Sequence, residues 1–328
     1  MRLLRELTLI VTDGHAPADL TIAALASLDR MPSAERLTAR GTRIAMTADW
    51  WFALLRAVRV AVPEAQGQPL ALAPVAWFGL TGQRDEHIWF ATPVHLTAAT
   101  DHVRLDALAP PSGDIADLLA ADFRREFSAE GLILHVTGGQ HWLLEIPRVL
   151  DASTADPGRL IGNDVGRSLP EGADGAYLRK LMTEMQMWLH GRATPSAGLN
   201  GLWIWGGGRV WPNLAGVALP QAASDEVLLQ GLWRLGAGTL HGAVATLDEA
   251  RRLEVPALVA TVSLEAWRAQ GEAASLQRLE RDWWAPAWNA LTGGSLGAFT
   301  FYLNGKLTRT ARGHCWRLWR QPRHWAED

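Results

Sequence analysis

The sequence contains a single cysteine, Cys315, among 328 residues. No disulfide can form within the chain, which suits a reducing compartment. Cys315 lies in an apolar run between His314 and Trp316, the setting of a small buried hydrophobe rather than of a reactive thiol. Long apolar runs are also missing. None approaches the roughly 18 residues that a transmembrane helix needs. The opening "MRLLRELTLIVTDGH" has two arginines but lacks the apolar stretch of roughly 7–15 residues that marks a signal peptide. A soluble cytoplasmic protein is the expectation. Nor is there an excess of basic charge: Lys and Arg total 31 against 34 Asp and Glu, a formal net charge of -3. That balance lacks the footprint of a nucleic-acid binder, and the basic tail "RLWRQPRHW" is too short to restore it. Neither a nucleic-acid nor a membrane partner is expected.

Several chemical signatures are absent as well. The Walker spacing, the G-x-G-x-x-G pattern and the G-x-S-x-G elbow do not occur. The ten histidines form no H-x-H, HExxH or DxxxH pattern, and beyond Arg209 only His241, His314 and His324 remain. Asp225, Asp248 and Asp282 fall in helical segments, where carboxylates are usually solvated. A two-metal site needs clustered Asp and His ligands, so neither a metal nor another cofactor is expected.

What is abundant is tryptophan, with 17 against 7 phenylalanines and 2 tyrosines. An indole offers a large apolar surface but wants a partner for its N–H. Trp serves here either as a bulky core filler or as an aromatic recognition surface.

The length favours two domains. "ELTLIVTD" reads as a buried strand ending in a turn at Asp13-Gly14. Asp13 and His15 stand at its end, a place favoured by ligands in α/β sheets, so Asp13 is either a turn cap or a cation ligand. "SAERLTARG" reads as a helix with Ser33 as N-cap and Gly41 as stop, and "TADWWFALLRAVRV" as another. "PLALAPVAWFGLTGQRDE" breaks repeatedly at Pro and Gly, which places a boundary near Asp85. The next block reads as strand, helix, hairpin, helix and strand, a split β-α-β unit with two helices on one face of a sheet. Its helices carry apolar stripes at Ile115, Leu118, Leu119, Phe123 and Phe127, and at Leu178, Leu181, Met182, Met185, Trp188 and Leu189. Ser112 and Gly131 bracket the first helix, and Gly138-Gly139 closes the hairpin. Beyond Arg209 follow helices, the strand "ALVATVSL", a long helix broken near Pro286, a hairpin closed by Asn304-Gly305, and "CWRLWR" as the last strand.

The strand "NGLWIW" runs into Gly206, Gly207, Gly208 and Arg209. Glycines after a strand can cradle a phosphate through backbone N–H groups, and they also make a flexible domain exit. His95, on a strand, lines a pocket or is a hydrogen-bonded core histidine. Asn200 and Arg192, the one cation in "GRATPSAG", complete a candidate anion cleft with His95, Gly206, Gly207, Gly208 and Arg209.

"ATPVHL", "LMTEMQMWLH" and "LNGLWIWGGGR" together resemble a bacterial family of RpfE-like regulatory proteins, themselves similar to degenerate archaeal-type cofactor-independent phosphoglycerate mutases. "LTLIVTDG" resembles the first strand and metal-binding turn of the alkaline-phosphatase-like core. "MPSAERLTARG" resembles that superfamily's following helix, with Glu35 in place of an Asp. The resemblance implies an α/β fold. Its alkaline-phosphatase-like core (1–84 and 210–328) has helices on both faces of the sheet, and an inserted ferredoxin-like α+β domain spans 85–209. Only Asp13 matches the mutases' metal ligands, and no nucleophilic Ser or Thr has a counterpart. The expected function is therefore a catalytically degenerate protein with a regulatory or ligand-sensing role toward a small phosphorylated or anionic ligand, and no catalytic residue is assigned. Two alternatives stand beside it. One is an active phosphoryl-transfer enzyme with a rearranged site. The other is a Trp-rich scaffold for a protein partner, presenting several of Trp50, Trp51, Trp283, Trp284 and Trp288.

Overall fold

The computed structural model describes residues 4–12, 30–44, 50–60, 69–98, 102–111, 113–137, 141–191, 198–263, 272–303 and 305–325. The chain divides into two compact units. One comprises Met1–Ala61, Leu214–Asp225 and Gly236–Asp328, the other Val62–Asn213 and Glu226–Leu235. The architecture is mixed α/β. Among the described residues no helix is long and apolar enough to cross a membrane.

The first unit is built on β1 (Glu6–Val11). Leu7, Leu9, Ile10 and Val11 are all buried, so both faces of the strand are apolar, as a parallel strand covered on both sides requires. It pairs in parallel with β10 (Ala257–Val262) and β11 (Ala298–Leu303). Beyond β10 lie β8 (Gln221–Ala223) and β9 (Leu240–His241), also parallel. Beyond β11, β12 (Lys306–Ala311) and β2 (Thr42–Ile44) close the sheet antiparallel. Helices α1 (Pro32–Arg40) and α7 (Leu247–Arg252) share one apolar cluster with Leu7, Leu9, Val11, Phe299 and Phe301. Strand alternation turns Ile10 and Tyr302 to the opposite face, and α2 (Trp50–Ala57) packs against β1 and β11.

Three local readings change here. The N-cap position of α1 is Met31, not Ser33, and makes no side-chain cap. Pro32 opens the helix, as its fixed φ favours. The carboxylate of Glu280 instead accepts from the N–H groups of Ser33 (2.7 Å) and Ala34 (3.3 Å), capping α1 from a distant segment. Second, the helix at Pro286 does not break. Helix α8 (Glu272–Leu279) continues through a π turn (Glu280–Trp284) into α9 (Ala285–Thr292); the Ala285 N–H bonds the Glu280 carbonyl, five residues back, so the ladder shifts register just ahead of Pro286. Third, "CWRLWR" is not a strand. A 3₁₀ turn (Arg312–Trp316) follows β12, and the remainder is irregular.

The second unit holds an antiparallel sheet centred on β3 (Ile88–Ala98). On one side β3 pairs first with β6 (Trp142–Glu145) and then with β4 (Val103–Leu108), and on the other with β7 (Gly201–Trp205). β5 (Ile133–His135) extends β6. Helices α4 (Gly113–Phe127) and α5 (Gly175–His190) bury their stripes in one cluster with Trp89, Ala91, Leu202 and Ile204. Leu118 of the expected stripe stays exposed. Residues 72–81, read as broken chain, form α3 (Leu72–Thr81), stopped by Gly82 in the left-handed region. Pro74 falls in its first turn, where proline is tolerated. Helix α3 packs on α6 (Val227–Leu235) at a crossing of two glycines. A Cβ on Gly79 would lie 2.5 Å from the Gly231 nitrogen, and one on Gly231 would lie 2.0 Å from the Val75 carbonyl oxygen. This backbone contact draws residues 72–81 and 227–235 into the second unit. The cap and turns expected at Ser112, Gly138-Gly139 and Asn304 lie outside the described residues.

Candidate functional site

The glycine triplet follows the fully buried strand β7. Gly206 has φ +70°, and its carbonyl accepts from Ala73 N–H at 2.8 Å, at the start of α3. A Cβ on Gly207 would stand 2.2 Å from the Trp89 indole, and one on Gly208 2.4 Å from the Pro69 carbonyl oxygen. Ala71 N–H donates to the Val210 carbonyl (3.0 Å). The three glycines thus let β7 pass tightly beneath the entry to α3. Arg209 points to solvent, with Glu86 at 3.7 Å.

Two other residues of the candidate cleft meet at the far end of β3. Asn200 accepts from Leu96 N–H at 2.7 Å and donates to the Leu96 carbonyl at 2.6 Å. Its amide so replaces a backbone pair beside the irregularity between His95 and Leu96. His95 Nδ1 bonds the Gly198 carbonyl, and its Nε2 lies 4.0 Å from Asp106. Asp106 also takes Thr97 and Arg104. The Thr97 hydroxyl, and after it Arg104, hold the Asp106 carboxyl below its ordinary range. His95 and Asn200 are therefore brought together, while the glycines and Arg209 lie beyond the opposite end of β7. Asp13, His15 and Arg192 are outside the described residues.

A polar chain that sequence reasoning missed runs through the same sheet. The Trp205 indole N–H donates to Thr92 Oγ1 at 2.8 Å. Thr92 Oγ1 lies 2.8 Å from His141 Nδ1. Thr92 Oγ1 therefore accepts from Trp205 and shares a second hydrogen bond with His141 Nδ1, whose direction follows the tautomer of the ring. The His141 ring packs against Phe90 and Trp205, and burial pushes its pKa down to about 4. The one usable signal was Thr92, a polar residue at a buried position of β3.

In the first unit, the carboxyl ends of parallel strands are where ligands of open α/β sheets bind. There Ser224, just past β8, and Thr261 of β10 share a hydrogen bond of 2.5 Å, and both are buried. His241 Nε2 meets Gln221 Oε1 at 2.6 Å. Glu35 is buried and carries a two-point pair with Arg30, which commits its carboxylate to structure. Among the described residues, no three His, Cys, Asp or Glu side chains gather as a metal ion would need.

No protein-family model matches this chain, and no curated protein matches it. Two solved structures are similar to it. The cofactor-independent phosphoglycerate mutase from Thermoplasma acidophilum DSM 1728 is 16% identical, over 94% of this chain and 90% of that one, with a TM-score of 0.42. The PH0037 protein from Pyrococcus horikoshii is 12% identical, over 95% of this chain and 88% of that one, with a TM-score of 0.46.

Proposed function

We propose that this chain is a phosphoglycerate-mutase-like protein with a regulatory or ligand-sensing role and without phosphoryl-transfer turnover. The observation that carries the reading is the hydroxyl pair Ser224–Thr261 at the carboxyl ends of β8 and β10. Two-metal phosphoryl transfer needs carboxylate and imidazole ligands in its crevice. At these two strand ends Ser224 and Thr261 place uncharged, mutually bonded hydroxyls rather than a carboxylate or an imidazole. The sequence resemblance to degenerate mutases points the same way. The ligand is a small phosphorylated or otherwise anionic molecule, the class that the sequence resemblance implies.

The test is an assay of the full chain, with manganese or zinc supplied, for interconversion of 2- and 3-phosphoglycerate and for hydrolysis of a phosphate monoester. No turnover is expected, and Asp13→Ala is expected to behave as the parent does. Turnover that disappears in Asp13→Ala would overturn the reading in favour of an active enzyme.

A further inference from the structure

The segment after β12 was expected to be a strand, and its apolar residues reach the surface instead. Trp316, Leu318 and Trp319 are 71%, 62% and 75% exposed. They do not belong to a frayed tail. Cys315 on one side and Trp325 on the other are both buried in the core cluster of the first unit. Between these anchors the backbone turns through bonds from Arg317 N–H to the His314 carbonyl (3.0 Å) and from Arg320 N–H to the Arg317 carbonyl (3.1 Å). Arg317 and Arg320 each also donate to carbonyls at the end of α1, those of Arg40 (3.1 Å) and Gly41 (2.8 Å). The loop is pinned, and it displays three large apolar side chains outward.

The loop itself carries charge of one sign. From Arg312 to Trp325 the chain carries Arg312, Arg317, Arg320 and Arg323 and no acidic residue. The elements beside it add Arg36, exposed on α1, and Arg40, which donates to the Cys315 carbonyl (2.6 Å); on β12, Arg309 is paired with Glu6 (3.2 Å) and the Lys306 ammonium is buried. The carboxylate of α1, Glu35, is buried against Arg30. This basic collar sits in a chain whose net charge is -3.

We propose that the loop Trp316–Arg323 docks on an anionic lipid surface. Trp and Leu insert at the level of the headgroups, and the arginines meet the lipid phosphates. A helix that crosses a bilayer needs a long apolar run; lying on one requires only an apolar patch with cations around it. Leu318 favours lipid over nucleic acid, because bases stack on flat rings and an exposed Leu offers none. A rigid protein partner would need a matching pocket, whereas a bilayer accommodates any apolar outline.

The experiment is flotation of the full chain with vesicles of phosphatidylcholine alone and of phosphatidylcholine mixed with phosphatidylglycerol. The chain is expected to float with the mixed vesicles only, and less so as salt is raised. Trp316→Ser combined with Trp319→Ser is expected to lower the bound fraction about tenfold with an unchanged melting temperature, since both rings are exposed. Arg323→Glu is expected to weaken binding through charge alone. Three results would each overturn the proposal: no flotation with the mixed vesicles, equal flotation of the double variant, or binding of a single-stranded oligonucleotide through the same two Trp residues while the vesicles stay free.

Discussion

Two pairs of tryptophans show how differently the two units use the same side chain. Trp203 and Trp205 lie on β7, two positions apart and therefore on one face of the sheet. Both indoles are buried and bonded, Trp203 to the Ala155 carbonyl (2.9 Å) and Trp205 to Thr92. Trp283 and Trp284 are adjacent in a helix, where neighbouring side chains diverge by about 100°. The π turn at Glu280–Trp284 accommodates them, and both are fully buried, yet among the described residues neither indole nitrogen has a hydrogen-bond partner. The β7 pair ties its indoles into hydrogen bonds that fix the strand, whereas Trp283 and Trp284 fill volume, as Trp89 does in the second unit. The Trp residues expected on a recognition surface fit the second role. Trp50, Trp283 and Trp284 are buried, and Trp288 packs against the core. Trp51 is half-buried, and among the described residues the exposed rings are Trp316 and Trp319.

The comparison can be broken at its tightest point first. Gly207→Ala places a methyl against the buried Trp89 ring. It should cost about 3 kcal/mol or more through overpacking, read as a lower urea midpoint. Gly313→Ala, with nothing within 4 Å of the added carbon, should stay within about 0.5 kcal/mol.

Next comes pH. The folded pKa of His141 lies at about 4, below its ordinary value of 6.5. Between these values the unfolded chain binds more protons than the folded one, so stability is full above pH 6.5 and falls as the pH drops toward 4. Near pH 5 the loss should be about 2 kcal/mol. Thermal unfolding from pH 7 to 5 should show it, and His141→Gln should flatten the slope.

A smaller effect sharpens the contrast between the tryptophan pairs. Trp205→Phe and Trp284→Phe remove similar volume, but only the first removes a hydrogen bond. Trp205→Phe should be the costlier by about 1 kcal/mol, measured by native-state hydrogen exchange in each unit. Arg209→Ala, which breaks an exposed ion pair with Glu86, should change stability by less than about 0.5 kcal/mol.

Periodicity made α4 and α5 legible, because a helix that must bury one stripe shows that stripe in its spacing. Alternation and turn residues did the same for β1 and for the β11–β12 pair. Helix α3 was hidden because Pro74 and Gly79 read as breakers. Pro74 is harmless in a first turn, and Gly79 is required by its contact with Gly231, a partner far along the chain. The Glu280 cap on α1 and the Trp205–Thr92–His141 chain were hidden for the same reason, since each joins residues that no local pattern connects. "CWRLWR" misled because its alternation fits a strand, whereas the anchoring of Cys315 and Trp325 lays it across the surface as a turn. Of the candidate site, the pairing of Asn200 with β3 was foreshadowed only by its place at the start of "NGLW".

The account depends on this framework holding its ligand without a pair of bridging cations. Calorimetric titration of the metal-stripped full chain with manganese or zinc tests that most directly. The account predicts no saturable heat at micromolar metal. Tight uptake of two cations per chain, as a two-metal phosphoryl-transfer site would give, and its loss in Asp13→Ala would contradict it.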